Sequence, residues 1–352
     1  MASRYERQIS LDEIGEVGQE KLSHASVLCI GAGGLGCPAL LYLAAAGVGR
    51  IGIVDFDVVD ESNLQRQVLY NHDDLGKNKA ECAKIRLNAL NSDIQIDAYP
   101  ARLMSESVVT LFENYDLILD GTDNFETKYL INDAAVKYGK PFIYGSILRF
   151  EGQVSVFNYQ DGPCYRCLFE DAPREAVPTC GEAGVIGAVA GIVGMVQAME
   201  AIKLILDDPS FEILSGKLWS INTKSMESRI FHLPKDPRCS VCSIDKKEII
   251  LQSSSPNQEI SAEDAQSVKD TIFLDVRELH EWDAGHIEGA RHFPLSALLQ
   301  GAVPDIAPGE RLIVYCQAGV RSQQAIGIMA QKGFTDLTNL AGGYEAWRVE
   351  AA

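Results

Sequence analysis

Residues 25–36 read Ala-Ser-Val-Leu-Cys-Ile-Gly-Ala-Gly-Gly-Leu-Gly, and Cys37-Pro-Ala-Leu-Leu-Tyr-Leu-Ala-Ala-Ala-Gly47 follows without a break. A short apolar run closed by glycines reads as a buried strand. Pro38 near a first turn and Gly47 at the far end frame a helix over Pro38 to Gly47. A glycine turn between strand and helix lets backbone N–H groups approach a phosphate, at a helix end whose dipole favours anions. Outward from this unit the pattern repeats. Strands are expected at Arg50 to Asp55, Tyr115 to Asp120 and Pro141 to Gly145, with helices at Asn78 to Leu90 and Phe125 to Tyr138. Strands alternating with helices predict an α/β fold with a largely parallel, Rossmann-like sheet.

The glycine turn alone reads as generic dinucleotide binding, with Asp55 about twenty residues on, where an acid bonds a ribose hydroxyl. The flanking residues point instead to a triphosphate. Asp57 to Gln67 reads DVVDESNLQRQ, Lys77 and Lys79 follow in GKNK, and Asp123-Asn124 follow the strand that ends at Asp120. Cations offset the charge that develops on phosphates, and an aspartate holds Mg²⁺. For any one of these residues the plain alternative is a solvated surface charge.

With 46% hydrophobic and 23% charged residues, the composition is that of a globular protein. A formal net charge of −18 argues against direct nucleic-acid binding, which leaves a basic footprint. Met1 to Ser10 lacks the apolar core of a secretory signal, so a cytoplasmic protein is expected. Gly184 to Leu206 is the most apolar stretch, but Gln197, Glu200 and Lys203 interrupt it. The expectation is a buried helix with small residues at a helix contact, and no membrane span. Ser253-Ser-Ser-Pro256 is breaker-rich, as linkers are. The domains are therefore set at 1–245 and 258–352, joined by 246–257. In the second, smaller α/β domain Thr271 to Val276 and Arg311 to Tyr315 read as buried strands.

Nine cysteines, an odd count in a long chain, argue against a disulfide framework. Cys164-x-x-Cys167 and Cys239-x-x-Cys242 form two pairs about 70 residues apart. Four thiolates suit tetrahedral Zn²⁺ with no open position, hence a structural metal, with a redox pair as the alternative. Cys29, Cys37 and Cys82 lie in apolar or helical contexts and read as small core residues. Cys316-Gln-Ala-Gly-Val-Arg321 follows an apolar strand and precedes a helical run, Ser322 to Gln331. A thiol so placed faces backbone N–H groups and a helix N-terminus, which together hold a persulfide anion.

Residues 4 to 243 resemble the ubiquitin-activating-type adenylyltransferases of the MoeB/ThiF type. The matching pieces are RYERQI from Arg4, GAGGLG from Gly31, DFDVVDESNLQRQ from Asp55, DGTDN from Asp120, EGQVSVFNYQDGPCYRCLF from Glu151, TCGEAGV from Thr179 and QAMEAIK from Gln197. The last ninety or so residues resemble rhodanese domains through Leu274-Asp-Val-Arg-Glu278, Gly285-His-Ile-Glu-Gly-Ala290, His292-Phe-Pro-Leu295, the Cys316–Arg321 loop and Gly342-Gly-Tyr-Glu-Ala-Trp347. Phosphatase loops carry one more residue between Cys and Arg.

The resemblance implies ATP with catalytic Mg²⁺, structural Zn²⁺ and a homodimer. Gly31, Gly33, Gly34 and Gly36 would supply the phosphate turn, with Asp57, Gln67 and Asn124 beside it. Asp55 would hold the ribose. Asn63, Arg66 and Lys79 would contact phosphates, Asp123 would position Mg²⁺, and Arg7 would reach across the dimer. The reaction implied is adenylation of the C-terminal glycine of a ubiquitin-like sulfur-carrier protein ending in Gly-Gly, then sulfur transfer from Cys316 within the loop Gln317, Ala318, Gly319, Val320 and Arg321. Gln317 replaces the basic residue of many thiosulfate-using relatives, so a persulfidated cysteine desulfurase is an alternative donor to thiosulfate. Cys180 resembles the mobile-loop thiol of the family, whose role varies among relatives from resolving a disulfide to carrying a thioester to none. The rival readings are a modifier-activating enzyme acting through a Cys180 thioester and a non-catalytic scaffold for carriers and desulfurases. Molybdopterin, thiamine, cysteine, tRNA-thiolation and siderophore routes all use such chemistry.

Overall fold

Strand β1 (Ser26–Ile30) is buried along its whole length and pairs in parallel with β2 (Arg50–Val54) on one side and β4 (Leu117–Asp120) on the other. The structure, a computed structural model, describes residues 4–171, 184–251, 258–268 and 271–350. Two units, Met1–Gln252 and Ser253–Ala352, divide the chain. In the first, β3 (Gln95–Tyr99), β5 (Phe142–Leu148), β6 (Glu151–Phe157), β7 (Lys217–Asn222) and β8 (Glu227–His232) complete an eight-stranded sheet in the order β3-β2-β1-β4-β5-β6-β7-β8. The first five strands of that order run parallel, and β6 to β8 are antiparallel to their neighbours.

Alternation along a strand sends successive side chains to opposite faces. Val27, Cys29, Ile51 and Ile53 pack with Leu40, Leu43, Ala83 and Val193. Leu28, Ile30 and Ile118 pack on the other face with Phe112, Ile131 and Phe142. Leu40 is fully buried, so Leu40→Ala would cost about 3 kcal/mol. Cys29, Cys37 and Cys82 are core residues, as expected.

Helix Gly36–Ala46 starts two residues earlier than the proline suggested, with Pro38 inside its first turn, and Gly47 ends it at φ +85°. Helix Phe125–Tyr138 is capped by Asn124, whose side chain accepts from Thr127 N, and closed by Gly139 at φ +67°. Helix Gly187–Leu206 is long and apolar enough to cross a membrane, yet it is a core element packed on helix Gly36–Ala46, β5 and β6. A Cβ on Gly194 would come within 2.4 Å of the Leu35 carbonyl oxygen, so a small residue is required at that crossing.

The second unit is a five-stranded, all-parallel sheet in the order β11-β10-β12-β13-β9. Its strands are β9 (Gln258–Ile260), β10 (Ile272–Asp275), β11 (Arg291–His292), β12 (Leu312–Tyr315) and β13 (Leu337–Leu340). Leu274 and Val314 pack with Leu298, Ala325 and Met329 on one face. Ile313, Tyr315 and Leu340 pack with Ala262, Ala265 and Trp347 on the other. The stretch 246–251, assigned above to the linker, packs on the first unit instead. Ile249 is 4% exposed against Val136 and Val241, and its carbonyl accepts a 2.6 Å hydrogen bond from Lys137 Nζ.

Candidate functional site

A cavity of about 630 Å³ opens where β1, β2 and β4 end. The glycines there do two different jobs. A Cβ on Gly36 would lie 2.0 Å from Gly31 O, and one on Gly121 would lie 2.3 Å from the same oxygen. Gly36 lets helix Gly36–Ala46 close on the turn after β1, and Gly121 lets the turn after β4 touch it. Gly33 and Gly34 meet nothing closer than 3.5 Å, so their missing side chains leave the cavity wall open to a ligand. Gly31, Gly33 and Gly34 line the cavity, while Gly36 stands behind it as a packing residue.

Asp55, Asp57, Asn63, Arg66, Gln67, Lys79, Asp123 and Asn124 also line the cavity. The Asp55 carboxylate accepts from Ala32 N at 2.8 Å and Asp57 N at 2.9 Å, and burial pushes its pKa up. Lys79, at the start of helix Lys79–Leu90, pairs with Asp57 at 3.1 Å. Asn124 commits its side-chain oxygen to the helix cap at 2.8 Å, which leaves only its amide NH₂ for a ligand. Gln67 is buried, and its Oε1 has no partner, so an acceptor waits at the cavity wall. Asp123 is exposed at the mouth. Arg7 is exposed on the short helix Glu6–Ile9 and does not line the cavity of its own chain. Cys180 lies outside the described residues.

The four cysteines of the two CxxC pairs converge, with every Sγ within 4.8 Å of the others. Neighbouring sulfurs lie 3.4 Å, 3.5 Å and 3.9 Å apart. A tetrahedral Zn²⁺ with Zn–S bonds of about 2.3 Å needs sulfurs about 3.8 Å apart, so the set fits. Hydrogen bonding to Cys242, then burial, holds the Cys164 thiol well above its usual range. The neighbouring Cys164 thiol pulls Cys242 down from its usual range. Thiols this close favour a shared dication over four separate protons. Val136, Val241 and Ile249 shield the cluster.

In the second unit Cys316 follows β12 and is 1% exposed. Gly319 N donates to its Sγ at 3.1 Å, and Gly319, at φ +89°, caps helix Val320–Gln331. Ser322 Oγ lies 3.5 Å from the same sulfur. Gly343 must be glycine: a Cβ there would meet Cys316 O at 2.4 Å. Arg277, almost wholly buried, pairs with Asp275 at 2.7 Å and donates to Gln317 Oε1 at 3.0 Å. Arg321 grips Glu281 through two bonds of 2.7 Å and 2.6 Å, which holds the Glu281 carboxyl down at about 2.

Residues 5–241 match the model of the ThiF family. The chain belongs to the ThiF family. Residues 258–350 match the rhodanese-like domain. Over 98% of its length the chain is 44% identical to a probable adenylyltransferase/sulfurtransferase MoeZ of Mycobacterium tuberculosis, covering 92% of that protein. A sulfur carrier protein adenylyltransferase of Thermus thermophilus is 48% identical over 68% of this chain and 90% of its own length. Among solved structures, E. coli MccB with a MccA derivative superposes with a TM-score of 0.61 at 22% identity, over 69% of this chain and 75% of that one, which shows the shared fold.

Within the ThiF unit, sequence reasoning missed Lys128, which lies in the cavity wall. In the rhodanese-like unit it named Arg277 only inside a motif and gave Glu281 no role. The signal for Lys128 was a lysine among the apolar residues Tyr129, Leu130 and Ile131, eight positions after the strand-ending Asp120. A charged residue that interrupts a buried helix face needs a buried partner.

Proposed function

We propose that the ThiF unit uses Mg-ATP to adenylate the C-terminal Gly-Gly carboxylate of a ubiquitin-like sulfur-carrier protein, and that a persulfide on Cys316 converts the acyl-adenylate to a thiocarboxylate. The observation that carries this reading is the pairing, in one chain, of a triphosphate-sized cleft and a buried thiol that takes a peptide N–H at the start of a helix. The names borne by relatives that match nearly the full length support it.

A carboxylate is already ionised at neutral pH and needs no base to attack the α-phosphate. Rate enhancement then comes from position and from charge stabilisation. In this reading Asp55 binds the ribose, Asn63, Arg66 and Lys79 meet the phosphates, and Asp123 at the open mouth holds Mg²⁺, which offsets phosphate charge. Pyrophosphate leaves. The outer sulfur of the Cys316 persulfide attacks the acyl carbon and AMP departs, forming an acyl disulfide. A second thiol, assigned to Cys180, cleaves that S–S bond, frees the thiocarboxylate and closes a disulfide with Cys316. The four-cysteine cluster holds structural Zn²⁺.

In this reading Arg7, exposed and outside its own cleft, serves the cleft of a second copy in a homodimer. A cysteine desulfurase persulfide or thiosulfate is the sulfur donor, and the cytoplasm is the expected setting. Intact masses of candidate Gly-Gly carriers, after incubation with the protein, Mg-ATP and a donor, test the whole sequence. Replacement of one carrier oxygen by sulfur is expected. An adenylate without sulfur would remove Cys316 from its role, and an unchanged mass with every carrier would remove the adenylation reading.

A further inference from the structure

We infer that Lys128 is a positioning residue of the adenylation site, holding the turn Asp120–Asn124 in the conformation that presents Asp123 to the cleft; this rests on the adenylation reading above. Lys128 is 4% exposed, and Asp120 is fully buried. The three N–H bonds of its ammonium go to three acceptors on three segments. They are Asp120 Oδ2 at the end of β4 (2.5 Å), Thr122 O in the turn (2.9 Å) and Gly145 O in β5 (2.9 Å). The other carboxylate oxygen of Asp120 accepts from Thr122 N at 2.9 Å and from Thr122 Oγ1 at 2.6 Å. Gln197 Nε2 donates to the Asp120 carbonyl at 2.7 Å, which ties the same point to helix Gly187–Leu206.

Asp123 is the next residue after this knot, and it is exposed with no hydrogen bond to hold it among the described residues. Its direction is therefore set by the backbone on either side, Thr122 on the Lys128 side and the Asn124 cap on the other. Lys128 lines the cavity but has no donor left for a phosphate, so it acts through Asp123 rather than on substrate. An ammonium suits three separate acceptors, whereas a planar guanidinium does not.

Removing Lys128 alone leaves Asp120 buried and unpaired, which threatens folding. The test therefore uses the double variant Lys128→Met/Asp120→Asn, which carries no buried charge, together with Lys128→Arg. ATP–pyrophosphate exchange with a responsive carrier is measured over a Mg²⁺ titration. The double variant is expected to lose about 100-fold in rate, the size of effect that a small misplacement produces. Its half-maximal Mg²⁺ should rise severalfold while its ATP KM holds, and Lys128→Arg should recover only part of the loss. Adding Asp123→Ala to the double variant should cost little more, because the two changes act through one group. A folded double variant with wild-type rate and Mg²⁺ dependence would overturn the inference, as would losses that multiply with Asp123→Ala. Should the wild type exchange with no carrier, the adenylation reading fails instead. Lys128 is then judged by Mg²⁺-dependent ATP binding in calorimetry, where the same weakening is expected and unchanged binding overturns it.

Discussion

The cleft of the ThiF unit and the Cys316 loop treat charge in opposite ways. In the cleft, Lys79 and Lys128 are paired with Asp57 and Asp120, but Asp123 stands exposed at the mouth, and Arg66, bonded to Ser62 O, pairs with no carboxylate among the described residues. In the loop both arginines are spoken for, Arg277 by Asp275 and Arg321 by Glu281. A triphosphate with its metal brings several charges and needs groups able to answer them. A persulfide would bring one, and the Cys316 sulfur already takes a peptide N–H from Gly319. The difference teaches that an arginine in a sulfur loop can be a structural clamp, tied to a carboxylate rather than left open for an anion.

The contrast breaks most sharply at its two reacting centres. Cys316→Ser should reduce thiocarboxylate formation to background while carrier adenylation proceeds, as intact carrier masses would show; sulfur transfer by that variant would end the loop's claim. Asp123→Ala should lower ATP–pyrophosphate exchange by about 100- to 1,000-fold. Because the side chain is exposed, the melting temperature should hold. Retained exchange would take Asp123 out of the site.

Metal removal sharpens the comparison by separating the two units. Zn²⁺ bound by four thiolates contributes several kcal/mol or more to folding, on the order of 10 in small zinc modules. Strong chelation, or Cys242→Ala, should lower the first thermal transition by many degrees and leave that of the rhodanese-like unit in place. Metal analysis should find one zinc per chain.

The smallest effects belong to the Glu281 clamp. Glu281→Gln frees Arg321, and thiosulfate, a dianion, should then load Cys316 severalfold faster, read as thiocyanate formation with cyanide as acceptor. The clamp also has a pH signature. The folded carboxyl titrates at about 2, below the ordinary 4.5, so its stabilisation is complete above about 4.5 and is lost as pH falls toward 2. The wild type should out-melt Glu281→Gln at neutral pH, and the gap should close across that window. A constant gap would show that the ion pair contributes nothing.

Much of this was legible in the sequence where burial forces a pattern. β1, β2 and β4 are continuous apolar runs, and helix Phe125–Tyr138 ends where Asn124 and Gly139 say it must. The Cys pairs announced their meeting by spacing. The strands that escaped are not continuous apolar runs, even where they are buried, as in β6 and β13. β8 is exposed at all six residues, and β3 lies at the sheet edge, half-exposed. Among site residues, Gly36 packs behind the cavity wall while Gly33 and Gly34 line it, because a glycine needed for packing and one needed for ligand access are spelled alike. Lys128 and Glu281 were missed because their partners lie 8 and 40 positions away, across strand ends that only the fold brings together.

Cys316 is buried to 1% exposure with a peptide N–H on its sulfur. For the bench chemist this makes the resting thiol a poor target for alkylating reagents and for peroxide, since such reactions need access to the thiolate. A loaded loop would present a different atom, the terminal sulfur, one bond farther out. Labelling kinetics would then invert the usual inference: slow modification would mark the empty enzyme, and rapid modification would count the molecules carrying cargo.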